Sequence, residues 1–455
     1  MEMVLEFLRD VLSQPALLIG IMSCIGLIAL KRPFHKIMTG TLKPILGYLM
    51  LAAGAGVIVS NLDPLGKMIE HGFHITGVVP NNEAIVAVAQ KVLGVETMSI
   101  LVVGLLMNLC IARFTKFKYV FLTGHHSLFM ACLMSAVLGT AGLSGMELIL
   151  VGGFLMGAWS AISPAIGQSY TSKVTDGDEI AIGHFGSLGY YLSACVAKYV
   201  GKAEDSTEDI EIPEKWGFLR DSTLSTALTM IVFYLIAAFA AGSEFVATLS
   251  GDMSPYLYAV MSAMNFAVGV TIVYSGVRMI LGDLIPAFQG IATKIIPNAI
   301  PAVDCAVFFT YAPTAVVLGF LSSFIGGIIG MLILGAVGGV LIIPGLVPHF
   351  FCGATAGIYG NATGGRRGAA VGAFLNGLAI TFLPALALPV LGQLGFQNTT
   401  FGDADFAVMG LVLGNAYEWV GMAGIYGVVA IAALVLIVPN FIKTKGKVIN
   451  YVEED

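Results

Sequence analysis

Residues 318–343 read LGFLSSFIGGIIGMLILGAVGGVLII, 26 positions without one charged side chain. As a helix rising 1.5 Å per residue, this stretch reaches about 39 Å, which exceeds the roughly 30 Å hydrocarbon core of a bilayer. Apolar residues follow one another without period-2 alternation, so the pattern is that of a spanning helix and not of a barrel strand. The same signature recurs on both sides. Candidate spans lie at 12–30, 44–60, 97–112, 120–142, 147–166, 223–242, 255–277, 318–343, 346–362, 369–391 and 419–439, eleven in all. Whole-chain composition agrees: 57% of the 455 residues are apolar and 11% charged. An ordinary soluble domain carries roughly 25% charged residues, so 22 Lys plus Arg and 28 Asp plus Glu are too few to cover a water-facing surface. The fold class expected is an all-α polytopic membrane protein.

Charge placement sets an orientation. Lys31, Arg32, Lys36 and Lys43 follow the first span, Arg113, Lys116 and Lys118 the third, and Lys198, Lys202, Lys215 and Arg220 the fifth. Arg278 and Lys294 follow the seventh, Arg366 and Arg367 the ninth, and Lys443, Lys445 and Lys447 the last. Every odd-numbered span thus leads to a basic loop, while the amino terminus, Glu244 and Asp252 fall on the other side. Basic loops stay cytoplasmic, so the amino terminus is expected outside and the carboxyl terminus inside. The opening MEMVLEFLRDVL is too acidic for a signal-peptide n-region. A net charge of −6 argues against a nucleic-acid partner. The six Cys (Cys24, Cys110, Cys132, Cys195, Cys305, Cys352) form no C-x-x-C and suggest neither a disulfide framework nor a zinc site.

One long polar tract, GKAEDSTEDIEIPEKWGFLRDS at 201–222, separates a first half (1–200) from a second (223–455) within one domain. It reads as a cytoplasmic connector, either a plain linker or a docking surface for a soluble partner. The halves share a faint repeat. Leu62–Pro64 (LDP) precedes Glu83, and Leu284–Pro286 (LIP) precedes Asp304, each acid coming 18 or 19 positions after the proline. Corresponding broken segments in two halves are how secondary carriers build a midplane site.

Three apolar stretches, 73–94, 180–200 and 300–316, carry too many Gly, Pro and polar residues to be simple spans. They are expected to be re-entrant or broken. A carboxylate in such a place costs several kcal/mol unless it meets water or a hydrogen-bond partner. Asp304 in AIPAVDCAVFFTYAP and Glu83 in VVPNNEAIVAV are therefore candidate ligand groups, with a buried hydrogen-bond anchor as the alternative for Asp304 and a surface position as that for Glu83. His125 in FLTGHHSLFMA and His184 in EIAIGHFGSLGYY each follow a glycine that leaves room beside the ring. Either could instead pack as a satisfied helix-interface residue. His35, His71 and His74 read as solvated loop residues. Neither His125 nor His184 belongs to an H-x-x-H or H-E-x-x-H spacing that would support a metal, no Walker sequence surrounds Asn361–Arg367 (NATGGRR), and no cofactor is implied. Repeated polar breaks on a wide helical scaffold favour a carrier for a small polar solute over a channel.

Several longer pieces also carry a resemblance. They are PALLIGIMSCIGLIALKR (15–32), LAAGAGVIVSNLDPL (51–65) with ITG (75–77), LTGHHSLF (122–129) and TDGDEIAIGH (175–184), followed by AVDCAVFFTYAPTAVVLGF (302–320) and LIIPGLVPHFFCGATAGIYGNATGGRRGA (341–369). Together and in order they resemble the membrane IIC component of the ascorbate phosphotransferase system (SgaT/UlaA type) over nearly the whole chain. The resemblance implies a homodimeric permease of eleven transmembrane segments in a bacterial inner membrane. Each protomer would pair a V-shaped dimerisation scaffold with a mobile core moving as an elevator. Soluble IIA and IIB proteins would relay phosphate, and IIB would phosphorylate L-ascorbate or a related sugar or polyol from its own phosphocysteine. This chain would not be phosphorylated itself.

The implied substrate contacts are His125, His184 and Asp304, with Asn82 and Glu83 where the family has Thr-Tyr. Phe129 and Phe185 stand where the family has Gln, so two amides are replaced by rings and one acid is added. These changes imply an altered ligand pose and a solute that need not be L-ascorbate. A permease of the same fold working by ion coupling or facilitated diffusion is the alternative, and a membrane protein without transport is a third.

Overall fold

The computed structural model describes residues 11, 14–74, 77–80, 82–177, 179–210, 222–392 and 399–441. Long uncharged runs become long helices because, away from water, only internal hydrogen bonds can satisfy the backbone. Seven helices among the described residues are long and apolar enough to cross a membrane, and an eighth if Thr226–Ala241 and Ser243–Ser250, bent by 116°, are taken as one span. Large apolar side chains cover their outer faces, Leu46, Leu106, Val232 and Ile431 among them, each more than half exposed. In water such a surface would aggregate; against lipid it is the matched surface. The protein is a mostly α-helical, multi-pass membrane protein.

In chain order the first half contains α1 (Pro15–Ala29), α2 (Phe34–Phe73), α3 (Asn82–Phe114), α4 (Gly124–Thr140), α5 (Gly145–Ile166), α6 (Gln168–Val174) and α7 (Ser187–Val200). The second contains α8 (Ser222–Ala241), α9 (Ser243–Ser250), α10 (Pro255–Lys294), α11 (Pro313–Ala336), α12 (Leu346–Gly392), α13 (Ala404–Val420) and α14 (Met422–Ile437). Helices α2 and α10 are both 40 residues long with internal prolines, and the LDP and LIP tripeptides lie inside them. They pack closely through glycines: a Cβ on Gly54 would fall 2.8 Å from the Gly269 carbonyl oxygen. Helices α1 and α8 flank this pair. A second body is built from α3, α4 and α5 with α13 and α14, and from α7 packed on α11 and α12.

Several expectations are corrected. The chain is not wholly helical. Strands β1 (Val79–Pro80) and β5 (Thr399–Thr400) pair in parallel, and β2 (Tyr119–Phe121), β4 (Ile300–Val303) and β3 (Ala181–Ile182) form a three-stranded parallel sheet with β4 central. These strands are two to four residues long and carry no readable period. Buried sheet edges need partners. The Asn108 side chain supplies them for β2, donating to Tyr119 O at 3.1 Å and accepting from Phe121 N at 3.0 Å, and Gln168 donates to Ile180 O at 2.9 Å beside β3. The span read at 120–142 therefore begins as a strand and continues as the 17-residue α4, and that at 12–30 is the 15-residue α1. The stretch 73–94, read as irregular, is already helical from Asn82. His35 and His71, read as loop residues, lie in α2, and His71 stacks on Phe245 with ring centroids 3.8 Å apart.

The spans read at 346–362 and 369–391 are the two arms of α12, broken at Gly364 and Gly365. Gly365 takes φ +60°, and a Cβ there would collide with the carbonyl oxygens of Lys202 and Asp205. The connector fits into this break. Arg366 N donates to Asp205 O at 2.8 Å, Arg366 Nε to Ser206 O at 3.2 Å, and Thr207 N to Asn361 Oδ1 at 2.8 Å. Glu208 caps the start of α11, accepting from Thr314 N at 3.1 Å and Ala315 N at 3.1 Å. Its described part, 201–210, is thus a strap hydrogen-bonded to two helices; residues 211–221 lie outside the described residues.

Candidate functional site

Five times among the described residues the chain runs from a short strand through one to four residues into a helical start: β1 to α3, β2 to α4, β3 to α7, β4 to the 3-10 turn Cys305–Thr310, and β5 to α13. Strand pairing gathers these starts, and the polar residues picked from sequence sit on them. Asn82 opens α3, His125 is the second residue of α4, His184 precedes α7, and Asp304 caps the 3-10 turn through Ala306 N at 3.2 Å. Helix starts offer unpaired N–H groups and a partial positive charge. Such a position is where buried carboxylates can be kept.

A cavity of about 1270 Å³ opens between the α2 and α8 wall and these helix starts, lined by Asn82, His125, His184, Asp304, Phe129 and others. It follows α2 from Tyr48 to Phe73, roughly 37 Å at the helical rise. The expected trio therefore shares one cavity. His125 Nε2 stands 3.4 Å from Asp304 Oδ2, and Tyr48 Oη of α2 stands 3.4 Å from His125 Nδ1, so a side chain from the opposite wall reaches the pair. His184 lies deeper: Gly186 N donates to its Nδ1 at 3.1 Å, and Tyr190 Oη is 2.8 Å from the same atom. With Nδ1 accepting, the ring proton is on Nε2.

Phe129 lines the cavity, edge-on to His125. Phe185 does not reach it. Its ring is fully buried, stacked on Phe121 with centroids 4.6 Å apart, because the residue after His184 turns back under the sheet. Phe185 contributes packing and, through its N–H, a 3.4 Å donation to His126 Nδ1. Glu83 lies in the first turn of α3, and its side chain lies outside the described residues.

Three residues at the site were not singled out from sequence. His126 lines the cavity, with its ring centroid 3.8 Å from that of His184. Asp403 lines it as well, its Oδ2 accepting from Asn82 Nδ2 at 2.6 Å and its Oδ1 from Cys352 Sγ at 2.8 Å. Asp405, fully buried behind the wall, accepts from Trp159 Nε1 at 3.2 Å, Ser187 Oγ at 2.8 Å and Leu188 N at 2.9 Å, and so fixes α13 to the start of α7. The available signal was FGDADF at 401–406, two acids among apolar residues.

Although no local spacing suggested a metal, two groups, His184–Asp304–Cys305 and His184–Cys352–Asp403, have ligand-type atoms within 4.8 Å of one another. Several of these side chains are already hydrogen-bonded. Gly186 N–H occupies the Nδ1 lone pair of His184, and Cys352 donates to Asp403. The arrangement is a donor–acceptor network suited to hydroxyl groups, with carboxylates that accept and Nε2–H groups that donate.

The profile of the EIIC-GAT family, described as the PTS system sugar-specific permease component, matches residues 10–405. This chain belongs to that family. The chain is also 28% identical, over an alignment of 417 positions that takes in 78% of this chain, to the ascorbate-specific PTS system EIIC component of Mycoplasma pneumoniae. It spans 62% of the length of that curated relative.

Proposed function

We propose that this permease carries L-ascorbate or a related sugar or polyol across the bacterial inner membrane and presents it to a soluble IIB partner for phosphorylation, with IIA upstream. The observation that supports this most directly is the cavity between two helical bodies, whose inner end gathers His125, His126, His184, Asp304 and Asp403 on helix starts. Asp304 and Asp403 accept from solute hydroxyls, while His126 and His184 donate from Nε2. Asn82 acts through Asp403, Phe129 covers a ring face, and Glu83 remains a proposed contact at the head of α3.

The bent and broken segments are compatible with eleven crossings in two related halves, amino terminus outside and carboxyl terminus inside. In that orientation the cavity runs toward the outer ends of α2 and α11, past Lys67 and Leu332, and away from the strap at 201–210. The conformation is then outward-facing. Movement of the α3–α7 and α11–α14 body against the α1, α2, α8 and α10 body, an elevator within a homodimer, would carry the site inward. Tyr48 and His125, on opposite walls, would part during that movement.

Reconstitution with IIA, IIB and the general phosphotransfer proteins tests this reading. Phosphorylated solute should appear inside vesicles only when IIB is present. Accumulation of unmodified solute at the same rate without IIB would favour the facilitative or ion-coupled carrier instead.

A further inference from the structure

The cavity is polar at the helix starts and apolar beyond them. Along its outer stretch the walls are Val59 and Leu62 of α2, Phe233 and Ile236 of α8, and Ile328 and Met331 of α11. Water against such walls is unfavourable in proportion to the apolar area it wets.

This stretch also opens sideways. On the strap side of the gap between α8 and α11 the helices meet, Phe233 standing edge-on to Phe320 and Phe324 with ring centroids 6.4 and 5.7 Å apart. Further out, Ile236 and Leu332 line the cavity and are each more than half exposed. Beside them, Val232 and Phe239 on α8 and Ile329 and Ile333 on α11 are exposed outside the cavity. Apolar surface therefore continues from the cavity wall around both helix edges to the lipid-facing side. An opening of that kind admits hydrocarbon.

The charges at the outer end match a lipid head group. Lys67 is exposed on the cavity wall, and among the described residues no hydrogen bond or direct ion pair ties it down. Asp63 and Glu70, at i−4 and i+3 on the same helix face, line the cavity beside it. One cation between two carboxylates is complementary to a phosphate that carries a primary ammonium. A phosphate alone meets two acids for one base, and a quaternary amine has no N–H to donate. From Val59 to Lys67 helix α2 rises about 12 Å, against roughly 15 Å for the hydrocarbon of one leaflet. A chain can thus enter at its own depth with its head beside Lys67.

We propose that the outer stretch of the cavity is a binding site for one phosphatidylethanolamine molecule of the adjoining leaflet. Its phosphate lies on Lys67, its ammonium reaches Asp63 and Glu70, and one acyl chain passes through the α8–α11 opening. The chain only exchanges one hydrocarbon environment for another, so the driving force is the water that leaves the apolar walls. The site does not depend on which solute the permease carries.

The test uses the full chain in nanodiscs that contain phosphatidylethanolamine with a photoactivatable diazirine in one acyl chain, with adducts mapped by mass spectrometry. Val59 and Met331 should be labelled, since both line the cavity and Met331 is only 5% exposed. Labelling confined to Val232, Phe239 and Ile329 would show an ordinary lipid annulus and overturn the inference. Competition by unlabelled lipids with the same chains reads the head-group choice. Phosphatidylethanolamine should suppress Met331 labelling about threefold or more better than phosphatidylglycerol or phosphatidylcholine, the worth of a partly exposed ion pair. Lys67→Gln, at an exposed position, should abolish that preference. Equal competition by all three lipids in the wild-type protein, or an unchanged preference in folded Lys67→Gln, would also overturn it. Where Lys67→Gln does not fold, the wild-type comparison decides.

Discussion

Replacing Asp304 by Asn removes one negative charge and keeps the size of the side chain. Asp304 Oδ1 accepts from Ala306 N at 3.2 Å, and an Asn carbonyl oxygen can retain that bond, so the 3-10 turn should hold. The other atom faces His125 Nε2 at 3.4 Å. A carboxylate only accepts, so the Nε2 that faces it carries the ring proton, and an Asn NH2 there places donor against donor. The solute also loses a charged acceptor. Hydrogen bonds with one charged partner contribute about 1.5–3 kcal/mol, which corresponds to a roughly 10- to 150-fold weaker Kd. Calorimetry with the tightest-binding solute measures this, alongside elution profile and thermal unfolding in detergent. A Kd within threefold of wild type, in protein that unfolds at the wild-type temperature, would refute the assignment of Asp304 to the solute.

Glu208→Ala should cost about 1 kcal/mol by uncapping α11 and lower the unfolding midpoint slightly, with Kd unchanged because Glu208 lies away from the cavity. Gly365→Ala should destabilise by about 1–2 kcal/mol from its left-handed conformation alone, and more from the collision with the strap; faster proteolysis of the 201–222 connector is the readout. Asp405→Ala leaves the Trp159, Ser187 and Leu188 donors without their acceptor, at about 1–3 kcal/mol each. Folded protein should not be recovered; recovery with a wild-type midpoint would contradict the role given to Asp405.

The membrane class was legible because hydropathy acts locally: the uncharged run at 318–343 can be little other than a spanning helix. The break in α12 was legible for the same kind of reason, since two glycines followed by two arginines interrupt an apolar pattern. His125, His184 and Asp304 stood out as polar groups in apolar surroundings, and they do share a cavity. Their convergence was invisible, because it depends on Tyr119–Phe121 and Ala181–Ile182 pairing with Ile300–Val303, strands too short to leave a pattern and more than a hundred residues apart in chain. Asp403 was missed because it falls between two candidate spans, where an acid reads as an ordinary loop residue. Phe185 was misread because position beside a functional histidine says nothing about which side of the turn the ring takes.

The strand-to-helix handovers have a consequence for how the protein can change. Asn82, His184 and Asp304 stand one or two residues beyond a paired strand and His125, His126 and Asp403 three to five beyond one, so their positions are inherited from backbone pairing more than from long side-chain packing. A new solute preference can then arise by exchanging one residue at a single handover, leaving the lipid-facing helices untouched. Relatives would be expected to keep the frame and differ at the tips.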